Sequence, residues 1–546
     1  MISRLLRFST LIACVVLTLV SAIALTWSGA FWLPLVIFGA LAALGIYDML
    51  QSRHAILRNY PILGHLRYFF EMIRPEIRQY LLESDFDEEP FTREARNIVY
   101  QRSKNVEDKR PFGTKVSVYD GGYQWLTHSI RPRKIENTDF RVLVGGPDCK
   151  HPYDLSLYNI SAMSFGALSA NAISALNRGA RIGGFAQDTG EGGISRYHRE
   201  GGGDLIYEVG TGYFGCRTPD GQFDPEKFRA VAADPQVKMI EIKLSQGAKP
   251  GQGGILPAAK ITPEIAEARG VPMGVDCHSP DGHSAFSTPV ELMEFIARLR
   301  ELSDGKPVGF KLCVGHRREF MCMVRAMLET GIVPDFIVVD GKEGGTGAAP
   351  VEFADHLGMP LVEGLTFVHN TLRGVGLRDR VKIGASGKLI TSFGILKAIA
   401  LGADWANSAR GFMFAVGCIQ GQACHTNHCP VGVATQDKLR QRALDVPRKT
   451  ERVYRFHHNT LKAIAEMTGA AGLTHPGQFL PHHLITRERD RDMVTGDEIY
   501  PYLPVGFLLR DPEPNENIRR AYRMRWARSR AESFAPFDVD TDWIGR

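Results

Sequence analysis

The sequence predicts an α/β protein built from parallel βα units, and two observations support that prediction. Between roughly residues 150 and 430, short apolar strands alternate with glycine-rich loops and helical stretches. The chain also contains 56 glycines, which indicates many tight loops around strands. About eight units over this length fit a (β/α)8 barrel. A doubly wound sheet has the same periodicity, so it remains the alternative at this point.

Nine segments have the length and composition of buried strands, which is one more than a barrel of this kind needs. They are Leu155–Met163, Gly183–Gln187, Leu205–Val209, Met239–Leu244, Met273–Val275, Val308–Cys313, Phe336–Val339, Val381–Ile383 and Trp405–Ser408.

We expect five regions along the chain. They are a transmembrane hairpin (1–50), a charged helical connector (51–110), an extended lead-in (111–150), the barrel with a metal-binding loop (151–440) and a C-terminal extension (441–546). The extension is rich in Pro and Arg and contains a long amphipathic helix over Val446–Thr468, which is expected to pack back on the barrel.

The N-terminal region contains two uncharged runs, residues 8–27 and 30–47, each long enough to cross a bilayer. The turn between them is very short, so the prediction is a helical hairpin. Arginines flank both ends and aromatic residues cluster at the turn, which predicts that both ends, and with them the rest of the chain, lie on the cytoplasmic side. These residues are Arg4, Arg7, Arg53, Arg58, Trp27, Phe31 and Trp32. A signal peptide cleaved near Ala30 is the alternative, but it leaves the second run unexplained.

Composition excludes several classes of protein. The net charge of +5 is small for 546 residues, and no Lys/Arg block is present, so no nucleic-acid partner is expected. Six of the nine cysteines are scattered singly. That pattern does not suit a disulfide scaffold and indicates a reducing compartment.

The other three cysteines, Cys418, Cys424 and Cys429, are separated by five and four residues on a glycine-rich segment. Thiolates gathered in this way select iron–sulfur clusters or zinc, and a proline such as Pro430 often follows the last cysteine of a cluster loop. Three thiols without a nearby fourth favour a three-iron cluster. Zinc, with His425 or His428 as a nitrogen ligand, and reduced structural thiols are the alternatives.

Five motifs in sequence order resemble the synthase domain of the glutamate synthase family. They are Ser161-Ala-Met-Ser-Phe-Gly-Ala-Leu-Ser169, Thr189-Gly-Glu-Gly-Gly193, Gln246-Gly-Ala-Lys-Pro-Gly251, Gly344-Gly-Thr-Gly-Ala-Ala349 and Cys429-Pro-Val-Gly-Val-Ala-Thr-Gln436. The resemblance covers roughly residues 110–470. It implies a barrel rather than a doubly wound sheet, with FMN and a 3Fe-4S cluster as cofactors.

Two glycine-rich loops are candidates for the FMN phosphate. In a barrel the phosphate docks on the loops after the last two strands, and Gly387, Arg410 and Gly411 lie there. Glycines let backbone N–H groups approach phosphate oxygens, and an arginine adds a fork of donors. The resemblance assigns the remaining cofactor contacts to Met163, Ser164, Thr189, Asp340, Gly341 and Gly345.

Four residues are candidates for contact with the substrate. Lys243 and Lys311 lie in apolar strands, where an unpaired ammonium is costly to bury, so we expect each to meet a flavin or a substrate carboxylate. A salt-bridged lysine is the alternative for each. Gln246 and Lys249 are expected to line the same pocket, and Glu191 is a weaker candidate acid.

The sequence Gly210-Thr-Gly-Tyr-Phe-Gly215 fits a dinucleotide fingerprint, but Cys216-Arg-Thr-Pro219 cannot open the helix that such a site requires. With no NAD(P) domain evident, electrons are expected through the cluster from a partner protein, either ferredoxin-like or a reductase.

The resemblance implies reduction of a 2-oxo or imino acid, such as 2-oxoglutarate to glutamate. The family's glutamine-cleaving domain is replaced here by the apolar runs, so ammonia is expected from a separate partner. Where the family has Arg-Phe-Gly, this chain has Tyr213-Phe214-Gly215, which leaves the substrate open. The alternatives are another substrate, as in an N-alkyl glutamate synthase, or a membrane-tethered protein without catalysis that transfers electrons or forms a zinc scaffold.

Overall fold

Eight parallel strands close into a barrel in the computed structural model, which describes residues 6–51, 53–84, 86, 90–488, 492–511 and 520–535. The strands in chain order are β1 Gln124–Leu126, β2 Arg141–Val144, β3 Tyr153–Ser156, β4 Tyr158–Ile160, β5 Gln187–Asp188, β6 Leu205–Val209, β7 Val237–Lys243, β8 Ile255–Leu256, β9 Cys277–His278, β10 Val308–Leu312, β11 Phe336–Asp340, β12 Lys382–Ser386, β13 Trp405–Ser408, β14 Leu484–Arg487 and β15 Met493–Thr495. The barrel contains β4 to β7 and β10 to β13, and β13 pairs with β4 to close it.

The helices in chain order are α1 Ser9–Ala24, α2 Trp32–Leu50, α3 Ala55–Asn59, α4 Gly64–Ile77, α5 Arg93–Lys104, α6 Ala170–Gly183, α7 Arg196–Gly201, α8 Pro225–Ala232, α9 Pro263–Arg269, α10 Pro289–Leu302, α11 Arg317–Thr330, α12 Val351–His356, α13 Leu361–Gly374, α14 Ser392–Ala400, α15 Arg410–Val416, α16 Lys438–Gln441, α17 Val446–Ala470, α18 Gly496–Ile499 and α19 Arg520–Ala527. The chain divides into two compact units, Met1–Glu89 and Pro90–Arg546.

The barrel confirms the prediction of parallel βα units and excludes the doubly wound sheet. Strands such as β6, β10 and β11 are buried along their whole length, because helices cover the outside of a parallel barrel. The expected strand at Met273–Val275 is wrong. That segment is a bend in the long connection between β7 and α10, where Met273 and Val275 are 57% and 53% exposed and so lack the burial that a barrel strand needs.

The amino end of the barrel is closed by the β2–β3 hairpin, whose strands are antiparallel. Val144 and Leu155 of this hairpin pack in one buried cluster with Met239, Phe336 and Trp405 of the barrel strands. The opposite end, where the strands finish, is left for a binding site.

The long helix expected near residue 450 is confirmed as α17. It packs on α6 at a glycine, since a Cβ on Gly179 would come within 2.6 Å of the Val453 Cβ. Val453, Phe456, Leu461 and Ile464 are buried at the spacing of one helix face. Residues 489–491, 512–519 and 536–546 of the expected C-terminal extension lie outside the described residues.

The N-terminal unit contains the two apolar helices, joined by a turn at Gly29–Phe31. They pack against each other, and a Cβ on Gly39 would lie 3.7 Å from Cγ2 of Thr18. One segment, Gly29–Leu50, is long and apolar enough to cross a membrane, whereas Ser9–Ala24 is shorter. At 1.5 Å per residue α1 spans about 24 Å, less than the hydrocarbon core of about 30 Å. Arg4, one of the flanking arginines, lies outside the described residues.

Candidate active site

A cavity of about 390 Å³ lies at the carboxyl ends of the barrel strands. Glu208, Lys243, Lys311, Asp340 and Ser386 project into it from five different strands or strand ends. Twelve of the predicted site residues line it, namely Met163, Ser164, Lys243, Gln246, Lys249, Lys311, Asp340, Gly345, Gly387, Arg410, Cys418 and Cys424. The parallel strands thus bring together residues that are far apart in the sequence.

The other four predicted residues lie behind the cavity wall. The Thr189 hydroxyl accepts a hydrogen bond from the Glu208 backbone N–H at 3.1 Å. Gly341 packs against Leu361, and Gly411 lies behind Ser408. Cys429 is a buried residue of the cysteine loop, Cys418–Cys429.

Lys311 is enclosed by three carboxyl groups inside the barrel. Its ammonium pairs with Glu208, with Glu241 at 2.9 Å and with Asp188 at 3.9 Å, and Lys311 is 3% exposed. Burial alone would lower the pKa of Lys311, but these carboxylates raise it well above its usual range. Burial and the neighbouring carboxylates raise the pKa of Asp188 and of Glu241. The cluster therefore favours the charged form of the Lys311 ammonium and the neutral forms of the Asp188 and Glu241 carboxyl groups.

Lys243 has a carboxylate partner as well. Its ammonium donates to Oε2 of Glu191 at 3.1 Å and lies 3.9 Å from Glu208. Burial would raise the pKa of Glu191, but Lys243 and Arg269 lower it. Glu191 is thus an ionised partner of Lys243 rather than a proton donor. Both strand lysines are therefore salt-bridged in the structure. This is the alternative that the sequence left open for each of them.

Lys249 and Arg269 are positively charged side chains that can still bind an anion. Lys249 is 6% exposed, and its ammonium donates to the Gly253 carbonyl at 2.8 Å. Arg269, also buried, reaches Ser164 Oγ at 3.4 Å, while its Nε has no hydrogen-bond partner among the described residues. Both residues lie in the connection after β7, which folds over the cavity. The sequence did not identify Arg269 as a site residue. Arg269 reaches the cavity wall only because the fold places the end of α9 there.

The last two strands end in the expected glycine loops. Gly387 has φ +147°, a conformation that glycine adopts readily, and follows β12 directly. Arg410 donates to the Glu343 carbonyl and lies 4.6 Å from the Phe91 ring centroid. A Cβ on Gly345 would come within 2.7 Å of Nε of Arg410. Burial lowers the pKa of Arg410 to about 10.

The cysteine loop also lines the cavity, through Cys418, Gln420, Gln422, Cys424 and His425. Three non-glycine residues in or beside it, Gln420, Gln422 and Asn427, have positive φ values of 60°, 50° and 65°. Such strained backbone concentrates at functional sites. Cys418, Cys424 and Cys429 together line a second, small cavity of about 10 Å³. Burial raises the pKa of Cys418 to about 12.

Lys260, a residue that sequence reasoning missed, joins the loop to the cavity. It is buried, lines the cavity and donates to the carbonyl of Cys424 at 2.7 Å and of Ala434 at 3.2 Å. The amide of Gln436 donates to the carbonyls of Gly166 and Leu168, at 3.0 and 2.9 Å. The loop is thus fixed to the segment that carries Met163 and Ser164.

Tyr213, which replaces the family arginine, does not line the cavity. It is buried, and its hydroxyl lies 3.2 Å from Nδ1 of His283 and accepts from the Ala285 backbone N–H at 3.1 Å. The loop from Gly210 to Gly215 continues as turns up to α8, so no helix follows it as a dinucleotide site requires.

The barrel and its charged cavity at the strand ends define an α/β-barrel enzyme. A family model described as a conserved region in glutamate synthase matches residues 148–474. A glutamate synthase large subunit-like protein, YerD of Bacillus subtilis, is 37% identical over 523 residues, which is 88% of this chain and 98% of YerD. The archaeal-type glutamate synthase [NADPH] of Thermotoga maritima is 35% identical over 317 residues, covering 57% of this chain and 59% of that protein.

The chain belongs to the glutamate synthase family. It is a glutamate synthase-like oxidoreductase that acts on an amino acid or 2-oxo acid. Among solved structures, a mutant flavocytochrome b2 with pyruvate bound is similar at 13% identity and a TM-score of 0.40, covering 76% of this chain and 85% of that one. A likeness this weak assigns no ligand.

Proposed function

We propose that this protein is an FMN and 3Fe-4S oxidoreductase that converts a 2-oxo acid and ammonia into an amino acid, with 2-oxoglutarate to glutamate as the favoured reaction. When bound, FMN supplies hydride transfer and the cluster supplies one-electron transfer. Electrons come from a partner protein and ammonia from a separate source. The supporting observation is that Lys249 and Arg269 line the same cavity as Cys418 and Cys424.

The residues at the cavity fit FMN. Gly344, Gly345, Gly347 and Gly387 line it, so backbone rather than side chains faces the space. Gly347 has nothing within 4 Å of the place where a Cβ would stand. Arg410 and the loops after β12 and β13 are placed to hold the phosphate. Met163 and Ser164 would lie beside the flat ring system, and Asp340 near the ribityl chain.

The thiol spacing favours an iron–sulfur cluster over zinc. Four ligands around one zinc at about 2.3 Å stand roughly 3.8 Å apart. Among the described residues, the three ligand groups that lie within 4.8 Å of one another are the carboxyl groups of Asp188, Glu208 and Glu241, not the three thiols. A wider set of thiols suits a cluster of several irons, held by Cys418, Cys424 and Cys429.

The chain's own residues would position the substrate. Lys249 and Arg269 carry positive charge on a buried wall and are suited to bind its carboxylates. Gln246 also lines the cavity, where its side chain can form hydrogen bonds with the substrate. Lys243, held by Glu191, adds a fixed positive charge. Lys311 is already paired within its carboxyl cluster, so it would not bind a substrate carboxylate directly.

The apolar helices support membrane anchoring as part of this proposal. Gly29–Leu50 would span the bilayer, with Ser9–Ala24 packed beside it as the shorter arm of a hairpin. At the end of α2, buried Asp48 accepts hydrogen bonds from the Ile62 N–H and from His65 Nε2, each at 2.9 Å. The catalytic unit would then lie on the cytoplasmic face.

The test is direct. Purified protein should show flavin absorption and the electron paramagnetic resonance signal of an oxidised three-iron cluster. Its reduced flavin should be reoxidised by 2-oxoglutarate with ammonium. The same assay with a panel of other 2-oxo acids and amines tests which substrate is used. Metal analysis that finds one zinc and no iron would refute the cluster. Flavin that no acceptor in the panel reoxidises would refute the catalytic proposal.

A further inference from the structure

Lys260 is a buried cation that both lines the cavity and contacts the cysteine loop. It ends the short turn Ala258–Lys260 between β8 and α9, and the residue is only 3% exposed. Its ammonium donates to the carbonyls of Cys424 and Ala434, at 2.7 and 3.2 Å. Lys260 therefore contacts the chain on either side of Cys429, the last thiol of the loop.

The backbone around this turn holds Lys260 in place. The Lys260 N–H donates to the Pro257 carbonyl at 2.9 Å, and the Ile261 N–H donates to the Ala258 carbonyl at 3.0 Å. Ile261 and Ile265, which follow the turn, are buried in the main hydrophobic core. The ammonium is thus carried to the loop by a backbone that is itself anchored in the core.

No carboxylate compensates the positive charge of Lys260. In the described part of the chain, no acidic side chain lies within 4 Å of its ammonium, which meets the two backbone carbonyls instead. The carboxylates of described residues that line the same cavity have other partners, namely Lys243 for Glu191, Lys311 for Glu208 and the Gly247 N–H for Asp340. A buried ammonium without an anionic partner is costly. We therefore expect the balancing negative charge at the adjacent thiols.

We propose that Lys260 raises the reduction potential of the cluster held by Cys418, Cys424 and Cys429. The inference rests on the proposed function, because it concerns a residue that acts on that cluster. Three thiolate ligands bring negative charge to the loop, and the electron that reduces the cluster adds more. A fixed cation in a low-dielectric interior stabilises the more negative, reduced state. In this step the electron-donor protein is oxidised by one electron and the cluster is reduced by one, and no heavy-atom bond forms or breaks.

The experiment measures the midpoint potential of the cluster in the full chain in detergent. The electron paramagnetic resonance signal of the oxidised cluster is followed during a titration with dithionite and redox mediators. Lys260→Gln removes the charge but keeps an amide that can donate to a carbonyl, and Lys260→Arg keeps the charge. Lys306→Gln is the matched control, because the Lys306 ammonium also donates to backbone carbonyls but does not line the cavity.

Lys260→Gln should make the cluster harder to reduce. At an ambient potential fixed near the parent midpoint, the ratio of reduced to oxidised cluster should fall about 10-fold, which is a shift of about −59 mV for a one-electron couple. Lys260→Arg and Lys306→Gln should stay near the parent potential. Iron content and the shape of the signal should match the parent in all three variants, which separates an effect of charge from damage to the loop.

Three results would overturn this inference and leave the proposed function standing. The first is a parent-like potential in Lys260→Gln with the cluster intact. The second is a shift in Lys260→Arg as large as that in Lys260→Gln, since hydrogen bonds rather than charge would then set the potential. The third is a Lys260→Gln protein that binds no iron, because Lys260 would then act in assembling the loop. A parent protein without the cluster signal overturns the proposed function as well.

Discussion

Replacing Lys249 by Met tests whether the cavity wall binds a substrate carboxylate. The Lys249 ammonium donates to one backbone carbonyl and takes part in none of the ion pairs within 4 Å among the described residues. Burial lowers its pKa, so an arriving carboxylate would find a desolvated cation. Losing such a contact typically costs about 2–5 kcal/mol, roughly 30- to 5,000-fold in kcat/KM. Methionine preserves the length of the side chain, so the wall should remain in place.

The assay is reoxidation of reduced flavin by 2-oxoglutarate with ammonium. Lys306→Met is the matched control, because the Lys306 ammonium also donates to backbone carbonyls, those of Ala232 and Val237 at 2.5 and 2.6 Å, but does not line the cavity. Lys249→Met should keep its flavin spectrum and lose most of its reoxidation rate, and Lys306→Met should retain that rate. Parent-like kcat/KM in Lys249→Met, with the flavin fully bound, would refute a substrate-binding role for this lysine.

Four further predictions follow from the same structure. Lys311→Met removes the ammonium that pairs with all three buried carboxyl groups and should cost about 3–5 kcal/mol of unfolding free energy; a melting temperature equal to that of the parent would contradict this. Asp188→Asn should gain stability over the parent as pH rises above about 4, the ordinary pKa of aspartate, because the raised pKa of Asp188 makes its stabilising neutral form fully present at low pH and lost as pH climbs through that raised pKa; thermal melts in which the difference stays constant would argue against it. Cys424→Ser should abolish the cluster signal and lower the iron content, while Cys149→Ser, which alters a cysteine outside the loop, should leave both intact. A reporter fused after Arg58 should be active on the cytoplasmic side, and activity only on the exported side would reverse the topology.

Much of the architecture was readable from local sequence. Parallel strands covered on both faces are continuous apolar runs, so β6, β10 and β11 could be located closely. The strand predicted at the apolar segment Met273–Val275 is wrong, because periodicity does not distinguish a short apolar strand from an exposed bend. Two other predictions are inexact: Leu155–Met163 contains part of β3 and the whole of β4, and Gly183–Gln187 meets β5 only at Gln187. Glycine loops and clustered cysteines are also local signals. These signals identified Gly387, Arg410 and Cys418 as site residues, and all three line the cavity in the structure. The roles of these residues remain predictions.

The sequence by itself determined the parallel βα pattern, the family motifs and twelve residues of the cavity, because these depend on patterns within a few residues of one another. The barrel rather than a doubly wound sheet was implied only by the family resemblance. Only the tertiary structure decided which cations have partners. Lys311 meets Glu208, 103 residues away, because their strands lie in one closed barrel. Within the part of the chain that the structure describes, Lys249 has no carboxylate within 4 Å, because its connection folds over the cavity, where the ammonium meets the Gly253 carbonyl. Arg269 and Lys260 reach the wall from distant positions in the chain for the same reason. Ion pairing and burial depend on distances across the fold, which no local pattern encodes.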